Sequence, residues 1–291
     1  MPTNKGGFSV MNFINRHQLP ALLLCLAAVP AYAQSFRVQC PATTDLHPNG
    51  SAVDPAHPGQ VKCQHIGGGD GYATMADGHQ IYLFAFSPLS GLQDLQAGLP
   101  GTQTADVFNV PYAGPNYSSK GAGGPDYAPV PTNGAIKEPA GIMDMGVLAG
   151  NAPAPLMAID EDDEFFLTLS NPGMIMRPDL FEQHTVHFHG YPNASAFFDG
   201  VPDASVAIAI AGSFTYYYTA PDAGTYFWHC HITPPEHLQM GMVGQLYVRP
   251  RQNRVTGNLR DALVASNIKA ARPNPDNRGG PWNGASCSDI L

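Results

Sequence analysis

Hydrophobic residues in the second half of the chain form short runs separated by turn-forming residues. Six runs follow one another between residues 155 and 248: PLMAID, EFFLTLSN, HTVHFHG, SFTYYYTA, GTYFWHC and GMVGQLYV. Runs of this length, bounded by glycine, proline and polar residues, are typical of β-strands. In SFTYYYTA, Phe214, Tyr216 and Tyr218 share one face of the predicted strand. The spacing predicts an all-β, Greek-key β-sandwich.

The pattern is weaker on either side of this region. Residues 34–153 are rich in glycine and proline and contain one clear strand-like run, Gln80 to Phe86. Residues 91–150 show little periodicity, and such a stretch is long for a loop. We therefore expect a long irregular N-terminal extension that contributes a first strand, then a folded domain at 154–250. A basic C-terminal tail follows at 251–291, with a short helix near residues 259–271.

The first 33 residues have the pattern of a secretory signal peptide. Lys5 and Arg16 precede an apolar run, LPALLLCLAAVPAYA, which ends in an A-x-A sequence at Ala33. The sequence therefore predicts a secreted or periplasmic protein. In such an oxidising compartment Cys40 and Cys63 are expected to form a disulfide, and Cys287 is an alternative partner for either of them.

The composition indicates a folded protein, and the charge excludes two classes of binding partner. Only 13% of the 291 residues are charged and 44% are hydrophobic, which favours a folded core over a disordered chain. Residues 34–248 contain 5 Lys/Arg against 20 Asp/Glu, so we expect neither nucleic acid nor an anionic membrane as a partner. The acidic run from Asp160 to Glu164 is expected to be a solvated turn; docking of a basic cytochrome is the alternative.

Six of the eleven histidines occur in two short windows, at residues 184–189 (HTVHFH) and 229–237 (HCHITPPEH). Alternate residues of a strand point to the same face. The first predicted group is therefore His184, Cys230 and His237, and four histidines lie on the opposite face: His187, His189, His229 and His231.

The first group matches the ligand set of a blue copper site, in which two imidazoles and a thiolate bind the metal strongly and a thioether binds it weakly as a fourth ligand. Met242 follows His237 by five residues and can supply that thioether, with Met240 as a less favoured alternative. Zinc is the rival metal, but a methionine is a poor fourth ligand for zinc.

These motifs resemble those of the multicopper oxidase (laccase-like) family. The matching features are H-x-x-H-x-H-G from His184 to Gly190, the DGVP turn at 199–202, and GTY at 224–226 leading to His229-Cys230-His231. The resemblance implies a cupredoxin domain with a type 1 copper on His184, Cys230, His237 and Met242. It also implies a type 2 copper on His187 and a type 3 pair on His189, His229 and His231. By the same resemblance Asp199 supports proton delivery; its alternative is an ordinary turn residue.

Two features depart from the family pattern. Six residues separate Cys230 from His237, two more than is usual, and this longer loop resembles that of copper nitrite reductases. That family, however, tends to have aspartate at the position of His187 and no histidine at that of His231. The second departure is that the family's trinuclear cluster takes eight histidines, whereas this chain supplies four. The other four, expected on the surface or in loops, are His47, His57, His65 and His79.

The histidine count suggests that two copies of the chain build one cluster across a subunit interface. The expected function is that of a multicopper oxidase that reduces dioxygen with electrons from a small reductant, from Cu(I) or from a basic redox protein. Three Met-x-Met pairs favour Cu(I) if they bind metal, although core packing is their more common role. The alternatives are a nitrite-reductase-like enzyme, an electron carrier and a copper-handling protein. A degenerate second cupredoxin domain within residues 34–150 is the alternative to an extension.

Overall fold

A computed structural model describes residues 36–54, 57–114, 132–192, 195–254, 257 and 261, together with the backbone of 116–119 and 127–130. The chain divides into two units, residues 1–34 and 35–291, and all of these residues lie in the second. The predicted signal peptide, Cys287 and almost all of the predicted helix at 259–271 lie outside the described residues. No helix in the described part is long and apolar enough to cross a membrane.

The described part consists mainly of strands. In chain order these are β1 Val61–Thr74, β2 Gln80–Pro88, β3 Gln103–Thr104, β4 Asn116–Ser119, β5 Tyr127–Val130, β6 Met157–Asp160, β7 Glu164–Gly173, β8 His187–Phe188, β9 Ser213–Thr219, β10 Gly224–His229 and β11 Val243–Arg249. The helices are short: α1 Leu92–Gln96, α2 Ala105–Phe108, α3 Pro139–Gly146 and α4 Pro234–Met240, with single 3₁₀ turns at Ala196–Phe198 and Arg251–Arg254.

The strands form two main sheets. The first has the order β2-β1-β7-β9, with β3 also paired to β1, and the second has the order β6-β11-β10-β8. β1 runs parallel to β7, and β6 runs parallel to β11, while the other neighbours within these sheets are antiparallel. β4 and β5 form a separate two-stranded hairpin. The arrangement is the predicted all-β cupredoxin sandwich.

The hydrophobic core lies between the two sheets. Trp228 of the second sheet is fully buried and packs its ring against Phe86 of the first, at a centroid distance of 4.8 Å. In β9, Tyr216 and Tyr218 are buried and Phe214 packs against the same core, so the three residues predicted to share a face do so, and that face points into the core. Burial of these rings removes large apolar surfaces from water, which is the main force that holds two sheets together.

The N-terminal region contributes more to this sandwich than the single predicted strand. β2 includes the predicted run, whereas β1 was not predicted because its sequence, VKCQHIGGGDGYAT, has no hydrophobic alternation in its second half. β1 pairs with β2 on one side and β7 on the other, and these backbone hydrogen bonds stabilise a strand that its side chains do not indicate. Gly68 in this strand lies against the His184 ring: a β-carbon there would be 2.9 Å from Cδ2.

A disulfide between Cys40 and Cys63 joins the segment before β1 to β1 itself. The two Cα atoms are 6.0 Å apart, within the usual range. The predicted pairing is therefore present, and Cys230 is the free cysteine among the described residues.

The acidic run before β7 is not the solvated turn that its composition suggested. Asp160 pairs with Arg249 at 2.8 Å, and Asp162 pairs with Arg251 and Arg254 at the end of the last strand. The Asp163 carboxylate is buried and accepts hydrogen bonds from backbone amides, including that of Gln60. Folding brings the last residue of β11 and two arginines after it onto this run, so two of its five acidic residues are paired with arginine within the chain.

The prediction that the four remaining histidines lie on the surface or in loops is wrong for His65, which lies within β1, whereas His47 lies in a loop. His57 and His79 are exposed, but His47 and His65 are buried. His65 is hydrogen-bonded to the Ile136 carbonyl and, at 2.7 Å, to the Ser170 hydroxyl. Burial lowers the pKa of His65 to about 3, so the ring is neutral and acts as a core polar group.

Candidate metal centre

Cys230 and His237 are joined by a loop that folds back on itself. β10 ends at His229, so Cys230 is the next residue, and its amide donates to the Met242 carbonyl. His237 lies on α4, and its carbonyl accepts from the amide of Met242. The six residues between Cys230 and His237 thus include the start of a short helix, which begins with two prolines, continues to Met240 and is followed by Gly241 in the left-handed region. This helix returns the chain so that β11 can start directly after Met242.

The third side chain of this site comes from the segment before β8, the strand that pairs with β10. His184 exchanges two backbone hydrogen bonds with Ile208, which fixes its position just before β8. Its Nδ1 lies 4.0 Å from Cys230 Sγ, and His237 Nδ1 lies 3.2 Å from the same sulfur. The three ligand atoms lie within 4.8 Å of one another. The structure therefore brings together His184, Cys230 and His237 as predicted.

This first cluster is enclosed by protein. His184, Cys230 and His237 have no exposed surface. Met242 is also fully buried and lies with Cys230 in the hydrophobic core between the sheets. Burial lowers the pKa of His184 to about 3 and raises the pKa of the Cys230 thiol to about 11. The amide of Thr185 donates to Cys230 Sγ at 3.4 Å. Without a cation the sulfur therefore stays protonated, and a thiolate-binding metal supplies the positive charge that the site lacks.

The donor atoms fit copper. Two imidazole nitrogens and one thiolate sulfur, with a buried thioether nearby, form the set that stabilises both oxidation states of copper. The Nε2 atoms of His184 and His237 have no hydrogen-bond partner. Glu182, not identified from the sequence, places a carboxylate oxygen 3.4 Å from His237 Nε2, beyond hydrogen-bond geometry. Burial lowers the pKa of His237, and Glu182 opposes that effect.

The second cluster lies on the other side of the same two segments. His187, His189 and His229 offer nitrogens within 4.8 Å of one another, and His189 Nε2 lies 2.9 Å from His229 Nε2. The His231 ring lies beside them, with its centroid 5.0 Å from that of His187. β8 ends at Phe188, one residue before His189, and β10 ends at His229, two residues before His231. The alternation of side-chain direction nevertheless continues past the strand ends, so each of these histidines lies on the same side as its partner in the strand. The division of the histidines into two groups is as predicted.

Backbone carbonyls orient two of these imidazoles. Nδ1 of His187 donates to the Asp199 carbonyl at 2.8 Å, and Nδ1 of His229 donates to the Cys230 carbonyl at 2.7 Å. Each ring then presents an unprotonated Nε2, the usual arrangement for a metal-binding histidine. The Asp199 carboxylate is 3.4 Å from the same Nδ1 of His187. Gly200 follows with φ of +78°, and a β-carbon there would be 2.0 Å from the Val186 carbonyl oxygen, so glycine is needed for this close turn.

The two clusters differ in exposure. The first is fully buried, whereas the second opens to the surface: His189 is exposed, His187 and His231 are half-buried, and His229 is buried. The clusters are connected through the covalent chain because Cys230 lies between His229 and His231. A hydrogen bond from the His231 amide to the Thr185 hydroxyl also links the two segments, at 2.8 Å. Thr185 itself carried no sequence signal apart from its position in the histidine window.

Comparisons with known proteins agree with this chemistry. Residues 134–253 match the sequence profile of the family described as multicopper oxidase. The multicopper oxidase MCE of Talaromyces pinophilus is 32% identical over 137 residues, which cover 45% of this chain and 21% of that protein. The laccase abr2 of Aspergillus fumigatus is 32% identical over 107 residues, covering 36% and 17%. The chain thus spans about a fifth of the length of these curated relatives.

Among solved structures, the blue copper oxidase from Nitrosomonas europaea aligns with this chain at 22% sequence identity and a TM-score of 0.39. The alignment includes 65% of this chain and 39% of that chain. The matched sequence region, 134–253, contains both histidine windows and the free cysteine. Residues 134–253 are therefore similar to multicopper oxidases, and copper is the cofactor that their histidine and cysteine groups fit.

Proposed function

We propose that this protein is a secreted or periplasmic copper oxidase that takes single electrons at the buried cluster and reduces dioxygen to water at the four-histidine cluster. The observation that carries this proposal is the pair of clusters on opposite sides of Cys230: a buried thiolate site and an open imidazole site. An electron carrier needs only the first. Residues 154–250 are the copper-binding unit in this proposal, with His184, Cys230, His237 and Met242 as the type 1 ligands.

Copper, when bound, supplies a one-electron acceptor at the buried cluster and a dioxygen-binding centre at the open one. The chain excludes water from Cys230, which protects the thiolate and limits the structural change between oxidation states. Hydrogen bonds to backbone carbonyls hold Nε2 of His187 and His229 free to bind metal. Asp199 is half-exposed beside His187, so its carboxylate is able to pass protons from solvent towards the open cluster.

We also propose that the open cluster is completed by a second copy of the chain. Three of the four imidazoles are at least partly exposed, and His229 is buried beside them, so the cluster opens to a surface where the family's other four histidines could be supplied. The surface next to them is apolar: Phe227 is partly exposed, lies 5.3 Å from the His189 ring and lines a groove of about 210 Å³ with Leu156 and Val243. A two-fold interface would bring identical patches together, and each copy would contribute the same four histidines.

Metal content per chain combined with absolute mass in solution tests this proposal. We expect an oligomer with a blue copper in every chain and further copper only in the assembled form. A monomer with four coppers per chain and full oxidase activity would refute the shared cluster. Oxygen uptake with hydroquinone or with Cu(I) tests the activity, and its absence in a fully loaded oligomer would favour the carrier or copper-handling function.

Two variants separate the clusters. Cys230→Ser should abolish the blue absorption while copper remains at the histidine face. His189→Ala should remove copper from that face and leave the blue absorption intact, because His189 is a member of the second cluster, in ring contact with His187 and His229, and not of the first. A blue Cys230→Ser protein would refute the ligand assignment. Nitrite reduction is the enzymatic alternative, favoured by the long loop that contains α4; formation of nitric oxide from nitrite, without oxygen uptake, would support it.

A further inference from the structure

No ligand of the buried cluster contacts solvent. His184, Cys230 and His237 are fully buried, so a reductant in solution cannot reach any of the three side chains. An electron that enters the cluster must therefore cross intervening protein. The probability of electron tunnelling falls steeply with distance, and it falls less steeply when aromatic rings in contact fill the gap. The contacts around His237 therefore determine where electrons enter.

One continuous series of aromatic contacts leads from His237 to the surface. The Phe84 ring packs edge-on against His237 with a centroid distance of 5.8 Å. Tyr82 packs edge-on against Phe84 at 5.7 Å, and Tyr72 packs against Tyr82 at 5.7 Å. Tyr72 is 43% exposed. The series therefore begins at a solvent-accessible phenol and ends on a ligand of the proposed type 1 site.

The hairpin formed by β1 and β2 creates this series. Tyr82 and Phe84 are two residues apart in β2, so their side chains share a face of the strand. Tyr72 is the direct partner of Tyr82 in the β1–β2 register. The fixed geometry of a β-ladder thus holds the rings at regular spacing.

A buried carboxylate holds the middle ring in place. The Tyr82 hydroxyl donates to Asp70 Oδ2 at 3.2 Å, and the backbone amide of Met176 donates to the same oxygen at 2.8 Å. Asp70 is fully buried. The hydroxyl hydrogen bond restricts the orientation of the Tyr82 ring, so the contact with Phe84 is preorganised.

We propose that Tyr72, Tyr82 and Phe84 form the path by which electrons pass from a reductant at the surface to the metal held by His237. The path rests on the proposed function, which supplies the acceptor: a cupric ion is reduced to the cuprous state, and the reductant bound over Tyr72 loses one electron. No bond forms or breaks in the rings, and no proton is required, because they serve only as a bridge.

Glu182 provides the competing route, because its carboxylate lies 3.4 Å from His237 Nε2 and it is partly exposed. A carboxylate has no extended π system, and a reductant at that side chain would bypass the aromatic series. Replacing Glu182 with glutamine keeps its shape, so the variant reports on this route without opening a channel to the cluster.

The experiment follows reduction of the blue absorption in copper-loaded protein, mixed with hydroquinone without oxygen in a stopped-flow instrument. Phe84→Leu interrupts the series next to His237. Its matched control is Phe86→Leu: Phe86 is equally buried and lies two residues along β2, but its ring packs on Trp228. Tyr72→Leu interrupts the surface end, and Tyr247→Leu, equally exposed at 43% on β11, is its control.

We expect Phe84→Leu and Tyr72→Leu to slow bleaching by about tenfold or more, while both controls stay within about twofold of the parent protein. Tyr82→Phe retains the ring but loses the hydrogen bond to Asp70, so it should slow bleaching less than Phe84→Leu does. The absorption spectrum and midpoint potential should be unchanged in all of these variants, which separates a path from a structural effect on the metal.

Equal bleaching rates in the variants and their controls, with blue copper present, would overturn the path and leave the proposed function intact. Slowing by Glu182→Gln alone would likewise overturn it and assign electron entry to the carboxylate. A parent protein that binds copper without a blue absorption would refute the proposed type 1 site, and with it the acceptor on which the path depends.

Discussion

Gly68→Ala tests whether the glycine-rich strand β1 positions a metal ligand. Gly68 has no positive φ, so alanine fits the backbone, but its β-carbon would be 2.9 Å from Cδ2 and 3.1 Å from Cγ of His184. Ordinary contacts of this kind are 3.4–4 Å, so the ring must move by about 0.5 Å. Metal–ligand distances tolerate only about ±0.2 Å. His184 cannot retreat freely because its backbone is paired with Ile208.

We expect Gly68→Ala to weaken copper binding at the buried cluster by about 10–100-fold, as changes beside a metal ligand commonly do. Overpacking should also lower the free energy of unfolding by about 1–3 kcal/mol. The control is Gly67→Ala, whose β-carbon would be 2.5 Å from the Ser87 hydroxyl, on the strand but away from His184. Copper titration followed by blue absorption measures binding, and chemical denaturation of the copper-free protein measures stability. Unchanged affinity in Gly68→Ala would refute the reasoning.

Three further predictions concern stability and the second cluster. Replacing both Cys40 and Cys63 with serine should lower the free energy of unfolding by about 3 kcal/mol relative to the oxidised parent protein, from the 23-residue separation; denaturation measures the loss, and the reduced parent should match the variant. Because the pKa of His65 is about 3 in the fold and 6.5 in the unfolded chain, the unfolded state binds the extra proton between these values. Stability should therefore decrease as pH falls through that window, and His65→Asn should show a smaller decrease in urea titrations at pH 7 and pH 5. Gly200→Ala should displace the turn beside the second cluster and reduce its copper content while the blue absorption persists, as metal analysis and spectroscopy would show.

Much of the fold and of the site follows from local pattern. Short apolar runs bounded by turn residues predicted the segments that became β6, β7, β9, β10 and β11, because a strand buried in a sandwich needs apolar residues and ends where the chain turns. The period of two along a strand placed Cys230 on the opposite face from His229 and His231, and the structure groups these side chains in the same way. A disulfide between Cys40 and Cys63 was also predictable, because few cysteines remain to pair.

Other features could not be predicted because they depend on contacts between distant segments. β1 is a strand because its backbone is hydrogen-bonded to β2 and β7, and not because its side chains favour a strand. His65 is buried because Ile136 and Ser170 supply hydrogen-bond partners more than 70 residues away. The acidic run is paired because the chain after β11 returns to it.

The sequence by itself determined the chemistry of this protein: which residues can bind copper, how they divide between two faces, and the all-β fold that carries them. Only the tertiary structure decided how accessible each group is. It buried the thiolate cluster, left the imidazole cluster open to the surface and aligned Tyr72, Tyr82 and Phe84 beside His237. The physical reason is that a strand's period sets the direction of its own side chains, whereas burial and ring contacts depend on which strands pack together.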